Sequence, residues 1–172
     1  EHSIWTQDPQ FALALKGGVT TFHVLPGSAN LIGGRGVTAK NLQRNTINSM
    51  KFPDAPHSLK MACGENPKRV YGNRGQTPST RMGNIAGYRK SWIKAEGYLS
   101  KLDEYEAKSD EAKELSYKPT RDLELETLAG VLRGDILVHN HCYRADEMAM
   151  MIDVAKEFDY KITAFHHAVE AY

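Results

Sequence analysis

An α/β fold with a parallel sheet and helices outside it is what this sequence predicts, on three observations. Strand-like runs rich in β-branched and aromatic residues alternate with amphipathic helical stretches. Two such runs, Ile136 to His141 and Lys161 to His167, are separated by one helical segment, Ala145 to Phe158, as in a strand–helix–strand unit. Both runs close on histidines, and ligands of parallel sheets gather at the strands' carboxyl ends.

Taken in order, Gln10 to Lys16 is a short helical stretch that Gly17-Gly18 stops. Val19 to Leu25 is β-branched and aromatic, a strand that Pro26-Gly27-Ser28-Ala29-Asn30 breaks. Leu31 to Gly36 is expected as a tight Gly-rich loop, with a second strand around Gly36 to Lys40. Ser58 to Cys63 is a strand with a lysine inside it, and Gly64 to Arg69 a polar loop beyond. Asn84 to about Leu115 is one long helical region, and Pro119 separates it from a helix at about Arg121 to Arg133. In that helix Leu125, Leu128, Val131 and Leu132 recur at helical spacing before Gly134-Asp135 stops it.

The totals narrow the class. With 172 residues, 41% hydrophobic and 25% charged, the chain has the composition of a globular domain with a sizeable core. Lys plus Arg (22) nearly balance Asp plus Glu (21), which argues against a nucleic-acid or anionic-membrane surface. No apolar run approaches the ~18 residues of a membrane helix. Two cysteines, Cys63 and Cys142, are too few for a disulfide scaffold and are expected as buried free thiols at strand ends. The first residues form no signal peptide and include no initiator Met, so the chain is expected to be a piece of something longer.

Several side chains could carry chemistry. Lys60 lies mid-strand, where an amine must be paired, reach solvent at an edge, or lose its charge. Carboxylation by CO2 would turn it into an anionic, metal-bridging ligand. His139 and His141 share one strand face, and His141 is nearer the active rim. His166 and His167 are expected on opposite faces, so that only one aims inward. The Pro26 to Gly34 loop lacks the Walker and dinucleotide spacings and is expected to face or gate a substrate. Arg69 and Arg81 are each either a fork for a substrate carboxylate or a loop-stapling ion pair.

Five segments resemble one family. They are Gly18 to Thr21 with Pro26 to Gly34, Leu59 to Gly72, Ser79 to Gly83, His141 to Glu147, and His167 to Tyr172. Together they resemble the amidohydrolase superfamily, nearest its imidazolonepropionase-related and dihydroorotase-like metal-dependent hydrolases. The resemblance implies part of a distorted (β/α)8 TIM barrel, about strands 2 to 6. It implies one partial barrel domain over residues 1–172, without the first strand, the last two strands and the outer β-sandwich domain. By the same resemblance Lys60, His141 and His167 are the metal ligands of the fourth, fifth and sixth strands, with Glu65 a minor alternative. The first-strand His-Xaa-His pair and the general-base Asp of the eighth strand fall outside this chain.

The implied activity is hydrolysis of a C–N bond in a cyclic amide, a cyclic amidine or a dipeptide-like compound, using water activated by one or two divalent ions, zinc first. Tyr143, Arg144 and Arg81 are the expected substrate contacts. The partner is a small-molecule substrate, not nucleic acid or membrane, and open barrel edges favour homo-oligomers or other association. The rivals are a catalytically silent fragment or a subunit completed by another chain, and a non-hydrolytic dihydropyrimidinase-like scaffold. The compartment is open: cytoplasmic, or periplasmic if an upstream segment carries a signal peptide.

Overall fold

A computed structural model describes all of residues 1–172. Five strands, β1 (Thr21–Val24), β2 (Ile32–Lys40), β3 (His57–Ala62), β4 (Ile136–Cys142) and β5 (Ile162–His167), pair in chain order into one sheet. The sheet is mixed, where a parallel one was expected. β1–β2 and β2–β3 run antiparallel, whereas β3–β4 and β4–β5 run parallel. The reason lies in the connections. Only residues 25–31 join β1 to β2, and the β2–β3 link holds no more than a 3-10 turn at Ile47–Ser49. Neither contains the crossover helix that parallel neighbours need. The α/β architecture and the five-stranded sheet fit a partial barrel.

Six helices accompany the sheet: α1 (Pro9–Lys16), α2 (Glu65–Gly72), α3 (Arg81–Glu106), α4 (Asp110–Glu114), α5 (Leu123–Leu132) and α6 (Ala145–Glu157). Two segments depart from their expected conformation. The Gly-rich stretch expected as a loop extends β2 back to Ile32, with a register shift between Ile32 and Gly34. Ladder bonds to β3 outweigh the weak strand propensity of glycine there. The polar segment after β3 is helix α2. Its Pro67 sits in the first turn, where a missing N–H costs nothing. The long helix also ends early, at Glu106, and Ser109 caps the short α4.

Strand alternation sorts the sheet's two faces. Leu59, Met61 and Cys63 of the β3 strand and its end, with Ile136, Val138 and Cys142 of β4, pack under the helices. They join Tyr88 and Trp92 of α3, Leu128 and Val131 of α5, and Met151 and Val154 of α6 in a buried cluster of 17 residues. Each such large apolar side chain contributes about 1.5–3 kcal/mol on burial. Trp92 and Tyr160 seal the far end with ring centroids 4.4 Å apart. The opposite face of β3 and β4 carries Ser58, Lys60, His139 and His141, so the helices hold a polar face turned away from the core.

The cysteines correct another expectation. Both are buried as expected, but Cys63 and Cys142 are joined by a disulfide, not free. Ala62 and His141 are register partners on parallel neighbours, which brings the next residues side by side with Cα atoms 5.2 Å apart.

Candidate functional site

Lys60, His139 and His141 reach one face because β3 and β4 are in register, Lys60 opposite His139 and Ala62 opposite His141. β5 adds two more histidines. His166 pairs with His141 in register and so shares its face. His167 would by alternation turn to the helix side, but its backbone enters the left-handed region at φ 68°, as does that of Ala168 at 42°. The turn is held by Ala168 N–H donating to Cys142 O at 2.9 Å and by Glu170 N–H donating to Tyr143 O at 3.0 Å. His167 is thereby carried back toward His141, their ring centroids 4.7 Å apart. The expectation that only one of His166 and His167 aims inward is corrected: His166 touches His139 and His167 touches His141. Non-glycine residues at positive φ store strain that persists only where surroundings impose it, and such positions cluster at functional sites.

Burial dominates the electrostatics. Lys60 is 5% exposed, and its Nζ donates to Pro26 O at 3.0 Å and more weakly to Ser28 Oγ at 3.5 Å. It takes part in neither an ion pair nor an escape to solvent, the two bland alternatives for a mid-strand lysine. Burial lowers its pKa from the ordinary lysine value. His141 is 1% exposed. Its pKa is pushed down to about 4 by burial first, then by the charges of His167, Lys60 and His166. His139 and His166 are also held below the usual imidazole range, chiefly by burial. Burial therefore favours the neutral form of His139, His141 and His166, the form of imidazole that binds metal ions.

Deeper along the same face, His23 Nε2 hydrogen bonds with Ser58 Oγ at 3.0 Å and His23 Nδ1 with Thr38 Oγ1 at 3.1 Å. The His23 ring lies 5.0 Å from that of His139. Gly36 makes room for this contact, since a Cβ there would overlap Ser58 Oγ and the Leu25 side chain.

The expected substrate contacts separate. Tyr143 stands in the site, its ring 4.5 Å from His141 and 5.8 Å from His167. Arg144 instead forks onto Asp146 at 2.8 and 3.1 Å on the surface. Arg81 pairs with Glu147 at 2.6 Å, lining a cavity of about 210 Å³ between α3 and α6, on the helix side of the sheet. Glu65, the alternative ligand, is exposed at the start of α2. Arg69 is likewise exposed on α2.

Two contacts lay beyond the strand pattern. Asn66 reaches from α2 to His141, its side-chain nitrogen 2.9 Å from His141 Nε2. Glu170 accepts from Ala145 N–H at 3.0 Å, at the start of α6. Asn66 lies in a segment without strand alternation, and Glu170 beyond the last strand, so alternation signals neither.

The arrangement defines a class: an α/β partial barrel whose adjacent strands bring histidines together beside a lysine that is buried without a counter-ion. No three His, Cys, Asp or Glu side chains converge closely enough to hold a metal ion by themselves. Comparison with known proteins then points to a family. The chain is 37% identical over 180 residues to "Amidohydrolase tasK" of Hapsidospora irregularis, covering 96% of this chain and 18% of that protein. It superposes on the crystal structure of an amidohydrolase from Thermotoga maritima MSB8 with a TM-score of 0.83 and 39% identity, covering 94% of this chain and 40% of that one. No family model matches the chain. Both likenesses are to proteins named amidohydrolases, and the chain spans less than half of either relative.

Proposed function

We propose that this chain is the central, ligand-bearing part of a metal-dependent hydrolase that cleaves C–N bonds other than ordinary peptide bonds. The observation that carries the proposal is the His141–His167 ring contact of 4.7 Å at adjacent strand ends, beside a Lys60 that is buried without a counter-ion. The amidohydrolase names of two relatives above 35% identity support the hydrolase part.

The donor set fits a divalent ion in kind. Burial holds the pKa of His141 down at about 4, and its Nδ1 is buried with no hydrogen-bond partner in the protein. His167 stands beside it, and Lys60 becomes an anionic ligand on carboxylation. In the proposal these three hold one or two ions, zinc first. The chemistry such an ion supplies is a water acidic enough to attack at neutral pH, together with polarisation of the scissile carbonyl or imine.

The chain's own residues supply the rest. Tyr143 lies against both histidines, where its ring can pack on a bound substrate and its hydroxyl can orient it. His139 and His166 line the floor as neutral hydrogen-bonding groups. The substrate would be a cyclic amide, a cyclic amidine or a dipeptide-like compound, held within a barrel closed by further chain or by association at the edge strands β1 and β5. A second possibility, that these residues are catalytically silent alone, is favoured by their spanning 40% of the Thermotoga protein.

Metal content by inductively coupled plasma mass spectrometry, after dialysis against zinc, tests the proposal. One or two equivalents in the protein, lost in a His141→Ala, His167→Ala double variant, would support it. Equal zinc in both would overturn it.

A further inference from the structure

We infer that Asn66 is the positioning residue of His141: its amide oxygen accepts Nε2–H and so leaves the lone pair on the buried, unpartnered Nδ1. Two observations carry this. The Asn66 amide lies 2.9 Å from His141 Nε2 and makes no other hydrogen bond, while His141 Nδ1 is buried with no partner at all. A neutral imidazole has one N–H and one bare nitrogen.

If the Asn66 nitrogen faced the ring, it would donate to Nε2, and the ring proton would sit on Nδ1. That N–H would then be buried without an acceptor, the costly case for a donor. Turning the amide by half a rotation exchanges its oxygen and nitrogen at no cost elsewhere, because no second contact fixes it. Nε2–H then has its acceptor, and Nδ1 becomes a free donor atom toward an electrophile.

The rest of the turn is built to deliver Asn66. Tyr88 O–H donates to the Ala62 carbonyl, and Asn84 Nδ2 donates to Gly64 O at 2.8 Å. Cys63 N–H donates to the His141 carbonyl at 2.8 Å, tying this turn to the strand that carries the histidine. Gly64 adopts φ 71°, and the Glu147 carboxylate fills the space where a Cβ would stand. Asn66 thus approaches His141 from a segment pinned by α3, α6 and β4. A ligand histidine whose second nitrogen is oriented in this way typically loses about 10–100-fold in metal affinity when the partner is removed.

The tautomer part of this inference stands on the metal-free chain, and only the affinity part rests on the proposed metal site. The test is long-range 1H–15N NMR on the 15N-histidine-labelled protein, with zinc chloride titrated into wild type, Asn66→Ala and Asn66→Asp. The expected result is His141 as the Nε2–H tautomer in wild type and Asn66→Asp, and a mixture in Asn66→Ala. Zinc affinity should fall about 10–100-fold in Asn66→Ala and be retained in Asn66→Asp, which keeps an acceptor oxygen. Thermal melts of the three proteins separate this from loss of the fold. A wild-type Nδ1–H tautomer, or a zinc affinity that Asn66→Ala leaves unchanged, would overturn the inference. A wild type that binds no zinc but shows the Nε2–H tautomer would overturn the metal proposal and uphold the role of Asn66 in setting the tautomer.

Discussion

His139 and His166 meet across β4 and β5 with Nδ1 of one 2.9 Å from Nε2 of the other. Two nitrogens at that distance share one proton, so one ring donates and the other accepts. The accepting ring must then be neutral, and protonating both rings would set them against each other.

A pH dependence follows for the metal-free chain. His141, His139 and His166 all have lowered pKa values in the folded protein, His141 at about 4. Below about 6.5, the ordinary imidazole value, the unfolded chain binds more protons than the folded one. Stability therefore rises with pH between about 4 and 6.5 and levels off above. Urea melts at pH 5 and pH 7.5 should differ by on the order of 1–3 kcal/mol, with the lower value at pH 5. Equal stability at the two values would show that these rings are solvated.

Gly64→Ala should be among the more damaging single-methyl changes. The residue has φ 71°, and an added Cβ would meet the Glu147 carboxylate, which is itself paired with Arg81. A loss of about 1–3 kcal/mol is expected. That is a fall in Tm of several degrees for a chain of this size. Thermal denaturation followed by circular dichroism measures it.

Lys60→Met should leave the fold intact. It replaces a buried amine that has only Pro26 O and Ser28 Oγ as partners with an apolar chain of similar length. A change in stability within about 1.5 kcal/mol is expected. Bound zinc should fall at the same time. A 13C carbamate signal in protein equilibrated with 13C-bicarbonate should appear in wild type and vanish in the variant. Its absence from zinc-loaded wild type would remove the carboxylated-lysine ligand from the proposal.

The three candidate substrate contacts should behave differently. Tyr143→Phe keeps the ring against His141 and His167 and should alter KM or kcat in a complete, active parent protein. Arg81→Ala breaks an ion pair on the helix side of the sheet whose Glu147 side chain is only 11% exposed, and should cost about 1–3 kcal/mol of stability, with little kinetic effect. A large kcat loss in Arg81→Ala with Tyr143→Phe unaffected would reverse this assignment.

Much of the fold is legible in the sequence because its strands are short, β-branched and closed by glycine, proline or histidine. β4, α6 and β5 lie within a residue or two of where periodicity puts them. The Gly-rich part of β2 and the whole of α2 are not legible, because neighbours decide them. A ladder to β3 recruits Ile32 to Gly36, and the chain leaving β3 is wound into helix despite its polar composition. Strand direction was likewise hidden, since periodicity says nothing of whether a connection crosses the sheet.

The sequence by itself determined the alternation of strands and helices, the placing of His139 and His141 on one strand face, and the likeness to amidohydrolases. These follow from local periodicity and residue chemistry, which act over a few neighbours. The tertiary structure alone decided that His167 turns back to join His141, that Arg81 and Arg144 are held by carboxylates away from the histidines, and that Asn66 touches Nε2. It also decided that Cys63 and Cys142 meet. Apart from the local Arg144–Asp146 pair, each of these depends on contact between segments far apart in the chain or on a left-handed backbone, and neither is written in the period of a single segment.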